Sequence, residues 1–334
     1  MKIFITGLAG FLGSNLGIRL ANKGHEIYGN DNLIGGYKDN IDKRFKFFES
    51  DCCDLEKMAN IIPEDTDVLF HCAATAYEGL SVFSPHFITR NIYDATVSTV
   101  TASIKQKVKK FIFCSSMARY GNQVSPFKED MLPKPEDPYG FAKAASEDIV
   151  KNLCNTHSVD WTILVPHNIV GPRQKYDDPY RNVMSIFLNK MIQNEQVYIY
   201  GDGSQQRCFS YIDDCLDCME KCITLKETSK QVINIGPDEE VVTIKELAEL
   251  CANEVGHNNE PIFVPGRPQE VKFATCSSDK AKKLLDYKTN FTLKESIQKT
   301  YEYIKKKGAK KFEYHIDLEI NNELTPETWK KKLI

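Results

Sequence analysis

Tyr139 and Lys143 are the residues whose types and spacing most directly indicate chemistry. They lie four positions apart in DPYGFAKAASEDIVKNL, where Pro138 suits the first turn of a helix. A spacing of four places both side chains on one helical face. An ammonium beside a phenol favours the phenolate and lowers the pKa of the phenol from about 10. The pair therefore predicts a general base that works near neutral pH.

Gly7, Gly10 and Gly13 lie between an apolar run, KIFIT, and an amphipathic stretch, which is the order of a strand, a turn and a helix. Glycine lets the backbone turn sharply and approach a diphosphate, while the helix N-terminus supplies free N–H groups and the positive end of a dipole. The spacing GxxGxxG matches the general dinucleotide fingerprint loosely. Its setting favours a cofactor loop over a purely structural turn.

Asp31 ends the second predicted strand, eighteen residues after Gly13. A carboxylate at this place can accept hydrogen bonds from the adenosine ribose hydroxyls and repel a 2′-phosphate, which favours NAD over NADP. The alternative is a turn residue at the strand end, since the sequence NDN also suits a turn. Asp51, after the next strand, is expected to meet the adenine.

The elements that must position these residues follow from alternating patterns. Strand-like apolar runs are KIFIT, HEIYGN, FKFFES, DVLFHCA, KFIFCS and WTILVP, with amphipathic stretches between them and one more sheet strand expected in QVINIG. This cadence predicts an α/β fold with a doubly wound parallel sheet and a smaller mixed α/β C-terminal lobe. We expect residues 1–170 and about 209–237 to form the nucleotide-binding domain. Residues from about 171–208 and 238–334 are expected to form the substrate lobe.

The composition excludes several classes of protein. It is ordinary for a globular chain, and a net charge of −3 gives no general attraction to nucleic acid. No apolar run reaches the ~18 residues that a membrane helix needs. Eleven cysteines, mostly in apolar settings, indicate reduced thiols and a cytoplasmic protein. Cys215, Cys218 and Cys222 make an incomplete zinc set and fit one helix face, so no metal site is expected.

Motifs along the chain resemble those of the extended short-chain dehydrogenase/reductase family, whose main members are nucleotide-sugar epimerases and dehydratases. In the N-terminal half they are TGLAGFLG, Asp31, HCAA, Asn91, SSMARYG and YGFAK. In the C-terminal half PHNIVGPR resembles the family's RPxNVYGP, YGDGSQQRCFSYIDD its GDGxxxRDFxYVDD, and PGRPQEV its pGRPGDV. The resemblance covers about residues 2–305 and is nearest to the UDP-hexose 4-epimerases. It implies a Rossmann-type fold, NAD as the cofactor, a nucleotide-diphosphate sugar as the substrate, and a homodimer.

The resemblance also implies site residues by position. Ser116 completes a catalytic set with Tyr139 and Lys143. Cofactor contacts are expected from Gly7, Gly10, Phe11, Leu12, Gly13, Asp31, Asn32, Asp51, Cys52, Ala73, Ala74, Asn91, Tyr139, Lys143 and Pro166. Substrate contacts are expected from Thr75, Tyr77, Ser116, Met117, Asn168, Asn182, Arg207, Arg267 and Ala274. Arg207 and Arg267 fall where the family holds the sugar diphosphate, which suits a pair of guanidinium groups.

Met117 and Ala118 bear on the choice of reaction. The 4,6-dehydratases of the family place a carboxylate just after the catalytic Ser or Thr, and its decarboxylases commonly carry Glu there, whereas Met and Ala cannot transfer protons. The resemblance therefore favours 4-epimerisation, in which Tyr139 takes the proton of the carbon 4 hydroxyl while a hydride moves to NAD and later returns to the opposite face. Ala274 falls seven places after Arg267, at a pocket wall where a small residue admits a 2-acetamido group. UDP-hexoses and UDP-N-acetylhexosamines are thus both expected substrates.

Three alternatives stay open. One is epimerisation at another carbon with His167 or Glu78 as the added base, although a packed and hydrogen-bonded His167 is the more ordinary interpretation. Another is a one-way nucleotide-sugar oxidase or reductase. From a different class, non-catalytic nucleotide sensors and scaffolds of the family typically lose part of the Ser, Tyr and Lys set, which this chain retains. Arg119, where Val is common in the family, has no assigned role.

Overall fold

A computed structural model describes all 334 residues, which form fourteen strands and twelve α-helices. The strands are β1 Lys2–Thr6, β2 Glu26–Asp31, β3 Lys46–Glu49, β4 Val68–His71, β5 Lys110–Cys114, β6 Asp160–Pro166, β7 Ile169–Val170, β8 Tyr198–Tyr200, β9 Gln206–Arg207, β10 Ser210–Tyr211, β11 Gln231–Ile235, β12 Val242–Thr243, β13 Ile262–Val264 and β14 Phe273–Ala274. The helices are α1 Phe11–Asn22, α2 Leu55–Ile61, α3 Glu78–Ser81, α4 Pro85–Thr89, α5 Ala95–Lys105, α6 Pro138–Thr156, α7 Val183–Ile192, α8 Ile212–Thr224, α9 Ile244–Val255, α10 Asp279–Leu285, α11 Leu293–Lys307 and α12 Glu327–Lys330.

Seven strands form one parallel sheet in the order β11–β6–β5–β4–β1–β2–β3. This is the doubly wound order of a Rossmann fold with one strand added beside β6, and the added strand is the QVINIG segment. The central strands are largely apolar because both faces of the sheet are covered: Ile3 and Ile5 pack into one core and Phe4 into the other. The predicted fold class is confirmed.

Helices α1 and α8 cover one face of the sheet, and α2, α5 and α6 cover the other. Cys215, Cys218 and Cys222 all lie buried on α8 in the first of these cores, as the helix-face interpretation predicted. All eleven cysteines are free thiols. None of the helices combines the length and the apolar character that crossing a membrane would require.

The remaining elements make a smaller mixed α/β layer. β9 pairs with β12 and with β14, β8 pairs with β13, and helices α7, α9 and α11 share a separate core. After α11, residues 309–334 return across α3 and α4. The Ser84 hydroxyl donates to the Asp317 carbonyl at 3.0 Å, and the Trp329 ring packs edge-on against Phe83.

The carboxyl ends of the parallel strands meet along one edge of the sheet, which is where open α/β sheets bind ligands. Asp31 ends β2, Pro166 ends β6, and Ala73 and Ser116 follow β4 and β5. The strand order thus brings together residues that lie far apart in the sequence.

Candidate active site

A cavity of about 440 Å³ opens at this edge, a volume typical of a small-molecule site. Its walls come from the strand ends of the sheet and from the lobe. Almost all of the predicted contacts line it: Gly7, Gly10, Phe11, Leu12, Gly13, Asp31, Asn32, Asp51, Cys52, Ala73, Ala74, Thr75, Asn91, Ser116, Met117, Tyr139, Lys143, Pro166, Asn168, Asn182, Arg207 and Arg267. The two predicted contacts outside the cavity wall are Tyr77 and Ala274.

The glycine loop has the geometry of a diphosphate cradle. Gly7 has a φ of +71°, a left-handed conformation that suits glycine. A side chain at Gly13 would overlap the carbonyl group of Gly7, so α1 packs directly on the loop. Gly10 caps α1 without a side-chain hydrogen bond, which leaves N–H groups of the first turn for a ligand. The loop therefore fits the diphosphate of a dinucleotide.

Asp31 is held beside this loop by backbone N–H groups. One carboxylate oxygen accepts a hydrogen bond from the backbone N–H of Ala9 at 3.1 Å, and the other accepts one from Leu33 at 2.7 Å. Burial raises the pKa of Asp31, and these backbone N–H groups oppose the rise. Each oxygen keeps a lone pair for a ribose hydroxyl.

Asn91 lies in a π-helical turn, Arg90–Asp94, between α4 and α5. Such single turns occur mostly inside α-helices and frequently at functional sites. The side-chain amide of Asn91 donates to the Phe87 carbonyl at 2.8 Å, which fixes its orientation beside the cavity. The irregular turn explains how a residue between two helices reaches the cofactor side.

Tyr139 and Lys143 lie on α6, which starts with Pro138 as predicted and is capped by Asp137. The Asp137 carboxylate accepts from the Gly140 N–H at 2.9 Å, so the first turn that carries Tyr139 is firmly held. Ser116 precedes a short 3₁₀ turn and its hydroxyl accepts from the Ala118 N–H at 3.2 Å. All three side chains line the same cavity.

The pKa of the phenol differs from the sequence-based expectation. Burial raises the pKa of Tyr139, and the neighbouring Ser116 hydroxyl only partly opposes this rise. Lys143 donates instead to the Cys114 carbonyl at 2.7 Å, and burial lowers its pKa to about 8. In the protein alone, desolvation therefore outweighs the contacts that lower the pKa of Tyr139, and added positive charge would favour the phenolate.

Arg207 and Arg267 lie at the other end of the cavity. Arg207 donates to the Gln206 and Val271 carbonyls at 2.8 and 2.7 Å. The Arg267 guanidinium lies 4.4 Å from the centre of the Tyr200 ring and donates to Glu270 at 2.9 Å. Two carbonyl contacts orient Arg207, while stacking and the ion pair with Glu270 orient Arg267. Each guanidinium keeps N–H donors that suit bidentate binding of phosphate oxygens.

Glu78 shares this end of the cavity. Burial raises the pKa of its carboxyl group, while the charges of Arg207 and Arg267 oppose the rise. The cavity thus holds a carboxyl group close to both the predicted diphosphate site and the predicted catalytic tyrosine, whose pKa Glu78 also raises.

Two predicted substrate contacts lie behind the wall. Tyr77 is fully buried, and its hydroxyl donates to Asp178 at 2.7 Å. Ala274 is in register with Arg207 across the β14–β9 pair and packs into the core beneath the cavity, so the predicted steric gate at this position is not retained. Phe273 alternates to the opposite side, where 48% of its surface is exposed, and it does not line the cavity either.

His167 and Arg119 have structural roles. His167 lies outside the cavity lining, with Nε2 2.9 Å from the Pro237 carbonyl oxygen, and burial lowers its pKa. The packed interpretation therefore applies. Arg119 Nε lies 2.8 Å from Glu147 in a buried ion pair.

Several lining residues were missed by sequence reasoning. They are Cys72, Gln174, Tyr180, Arg181 and Glu270, with Ile334 from the segment that follows α11. The sequence offered one indication that Arg181 lines the cavity: it directly precedes Asn182, which is itself a predicted contact at a helix start. Ile334 had none, because its position depends on how residues 309–334 pack over the rest of the molecule.

Comparison with known proteins identifies the family. The model of the NAD dependent epimerase/dehydratase family matches residues 3–236. The chain belongs to this family. A UDP-glucose 4-epimerase of Mycolicibacterium smegmatis is 30% identical over 317 residues, covering 92% of this chain and 100% of the relative.

Solved structures agree. The chain is similar to the UDP-glucose 4-epimerase of Thermotoga maritima with UDP-glucose, at a TM-score of 0.85 and 32% identity over 92% of this chain and 99% of that one. It is also similar to the UDP-glucuronic acid 4-epimerase of Bacillus cereus in complex with UDP-glucuronic acid and NAD, at a TM-score of 0.83 and 30% identity over 92% and 100% of the two chains. The predicted family, NAD as cofactor, and a nucleotide-sugar epimerase as the type of enzyme are thereby confirmed.

Proposed function

We propose that the protein is an NAD-dependent nucleotide-sugar 4-epimerase whose substrate is a UDP-hexose. One observation carries the proposal: a single cavity unites the three groups of residues that this reaction needs. They are the glycine loop with Asp31 for the dinucleotide, Ser116 with Tyr139 and Lys143 for the reacting carbon, and Arg207 with Arg267 for the sugar diphosphate.

In this proposal Tyr139 moves the proton at the carbon 4 oxygen of the sugar. Bound NAD supplies a reversible acceptor for the hydride of carbon 4. The phenolate takes the hydroxyl proton as carbon 4 becomes a ketone and returns it when the ketone is reduced from the other face. Ser116 hydrogen-bonds the same oxygen and keeps it within reach of the phenol.

Lys143 stabilises the phenolate by its charge, and its hydrogen bond to the Cys114 carbonyl fixes the ammonium at the end of β5. Because burial raises the pKa of Tyr139 in the protein alone, we expect the phenolate to form only when positive charge is added nearby.

Arg207 and Arg267 hold the part of the substrate that does not react. The sugar must present both faces of carbon 4 in turn while it stays bound. Two oriented guanidinium groups can fix the diphosphate and leave the hexose free to rotate about its link to the phosphate. Binding energy from the nucleotide end is then available to retain the ketone.

The residues after Ser116 support this reaction over elimination or decarboxylation. Met117 lines the cavity and Ala118 is buried, and neither side chain transfers protons. His167 is packed outside the cavity, which removes one of the two candidate bases for epimerisation at another carbon.

Glu78 favours a second candidate, epimerisation at a carbon beside carbon 4. It is the remaining candidate base, it lines the cavity, and desolvation raises its pKa, which makes its carboxylate a stronger base. The charges of Arg207 and Arg267 nearby hold it towards the ionised form, which suits a structural counter-ion equally well.

The test is a panel of UDP-, GDP-, CDP- and dTDP-sugars with products identified by NMR. UDP-glucose, UDP-N-acetylglucosamine and UDP-glucuronic acid are included because Ala274 lies outside the cavity wall and therefore gives no steric argument for or against a 2-acetamido group. We expect the carbon 4 epimer of a UDP-sugar and no net change in absorbance of NADH. A 4-keto-6-deoxy sugar, a pentose product, or stoichiometric NADH would contradict the proposal.

Three further properties are part of the proposal. We infer that residues 1–170 with about 209–237 form the NAD-binding domain and that 171–208 with 238–334 form the nucleotide-sugar lobe, because the glycine loop and Asp31 lie in the first set, whereas Arg207 and Arg267 lie in the second. Eleven free thiols favour a reducing compartment such as the cytoplasm. A homodimer is proposed from the family resemblance, and a mass measurement in solution tests it.

A further inference from the structure

Arg181 is a largely buried cation that pairs with Asp178 only at the long end of ion-pair distance. Its side chain is 16% exposed and lines the cavity. Nε lies 3.5 Å from Asp178 Oδ2 without forming a hydrogen bond, and Nη2 reaches the Gly35 carbonyl only at 3.5 Å. Lys143 and Arg207, by contrast, donate to carbonyl oxygens within 2.8 Å.

The surroundings of Arg181 orient the guanidinium without satisfying it. It lies 4.6 Å from the centre of the Tyr77 ring, so its plane is fixed by stacking. Asp178 is fully buried and its oxygens already accept from the Tyr77 hydroxyl at 2.7 Å and the Tyr180 N–H at 3.0 Å. A guanidinium has five N–H donors, and the buried Nε of Arg181 has no hydrogen-bond acceptor, which is costly. A ligand oxyanion in the cavity would accept from the donors that remain free.

The backbone around Arg181 shows which part of the cavity it faces. A side chain on Gly35 would collide with the end of Arg181, so the absence of one makes room for the guanidinium. Gly36, the next residue, packs directly on Ala9 and Gly10 of the glycine loop. The Tyr37 N–H donates to the Ala9 carbonyl at 3.2 Å, which holds this stretch over the loop.

The charge of Arg181 acts on both ends of the predicted dinucleotide site. Its positive charge favours the ionised forms of both Asp31, at the adenosine end, and Tyr139, at the reacting end. A dinucleotide that spans these two residues has its diphosphate between them.

We propose that Arg181 binds the diphosphate of the dinucleotide from the side opposite α1. The glycine loop supplies backbone N–H groups on one side of the diphosphate, and Arg181 supplies its guanidinium on the other side. The inference depends on NAD as the cofactor and is independent of which sugar the enzyme converts.

The test measures binding rather than turnover. Cofactor-free protein is titrated with ADP-ribose, which carries the diphosphate, and with adenosine, which lacks it. Arg181→Met should weaken ADP-ribose by about tenfold or more, the range for a lost hydrogen bond to a charged group, and leave adenosine unchanged. Arg44→Met, which removes an exposed guanidinium paired with Asp42, is the control and should change neither.

Gly35→Ala is a second variant that leaves Arg181 in the sequence but fills the space of its guanidinium. It should weaken ADP-ribose in the same direction, and it decides the question if Arg181→Met does not fold. Wild-type affinity for ADP-ribose in either folded variant would overturn the proposal. A loss of affinity in these variants that is confined to UDP-glucuronic acid, with UDP-glucose unaffected, would also overturn the proposal. Arg181 would then bind a sugar carboxylate.

Discussion

Replacing Tyr139 by Phe removes one oxygen atom from the cavity and nothing else. The ring is 7% exposed and packs among buried residues of α6 and the 3₁₀ turn, so its apolar contacts remain. The α6 cap on Asp137 involves the Gly140 backbone and is not touched. The change therefore separates the chemistry of the phenol from its packing.

The expected magnitudes differ clearly between activity and stability. General acid–base catalysis contributes about 10²–10⁴-fold, so kcat should fall at least ~100-fold, or roughly 2.7 kcal/mol of barrier. Stability should change by about 1 kcal/mol or less, since a neutral hydroxyl contributes roughly this amount. The loss in rate is thus larger than any loss of folded protein can explain.

Tyr120→Phe is a matched control on the same segment as Ser116. The Tyr120 hydroxyl is fully buried and donates to Asn234 at 2.7 Å, but the residue does not line the cavity. We expect the opposite result: an unpaired Asn234 lowers the free energy of unfolding by about 1–3 kcal/mol while kcat stays near wild type.

The assay follows epimer formation by NMR, with unfolding measured in denaturant on the same preparations. A Tyr139→Phe enzyme that turns over within tenfold of wild type would refute the assignment of the base. Equal losses of rate in both variants would mean that the phenol acts through the fold and not on the substrate.

Three other variants test the remaining parts of the site. Asp31→Ala should weaken NAD binding and reduce the preference for NAD over NADP, because the repulsion of a 2′-phosphate is lost. Titration with both cofactors measures this preference. An unchanged preference would count against the role of the carboxylate. Arg267→Met should raise KM for the nucleotide sugar about tenfold or more with NAD affinity unchanged, and a variant with wild-type KM would show that Arg267 does not hold the diphosphate. Burial and the charge of Glu78 raise the pKa of Asp137 to about 7, so the folded protein keeps a proton that the unfolded chain loses near pH 4. The corresponding stability is complete below that pH and is lost as the pH rises to about 7. Asp137→Asn should flatten this decline in denaturant unfolding across pH, whereas Asp54→Asn, an exposed helix cap, should leave it unchanged; equal slopes in wild type and Asp137→Asn would contradict the shift.

The fold and the cofactor loop were predictable because their signals are local. Apolar runs of strand length, glycine turns and the Pro138 helix start each depend on a few neighbouring residues. Parallel strands then bring their carboxyl ends together whatever the details of the loops. Asp31, Ser116 and Tyr139 could for this reason be expected in one cavity.

Side-chain directions in the C-terminal lobe were less predictable, because successive residues of a short strand point to opposite sides. β14 has two residues, and a shift of one residue exchanges the inward and outward faces. A count from Arg267 reaches Ala274 but does not say which way it points, and it points into the core. Arg181 and the raised pKa of Tyr139 depend on burial by distant segments, which no local pattern shows.

The most direct test of the central claim is the reaction run in D₂O with an ordinary UDP-sugar substrate, with the product examined by NMR. In 4-epimerisation the hydrogen of carbon 4 leaves and returns as hydride, and only the hydroxyl proton handled by Tyr139 exchanges with solvent. The account predicts a carbon 4 epimer that carries no deuterium at carbons 3, 4 or 5. Deuterium at carbon 3 or carbon 5 would show that a base such as Glu78 removes a proton from carbon, and would contradict the proposed reaction.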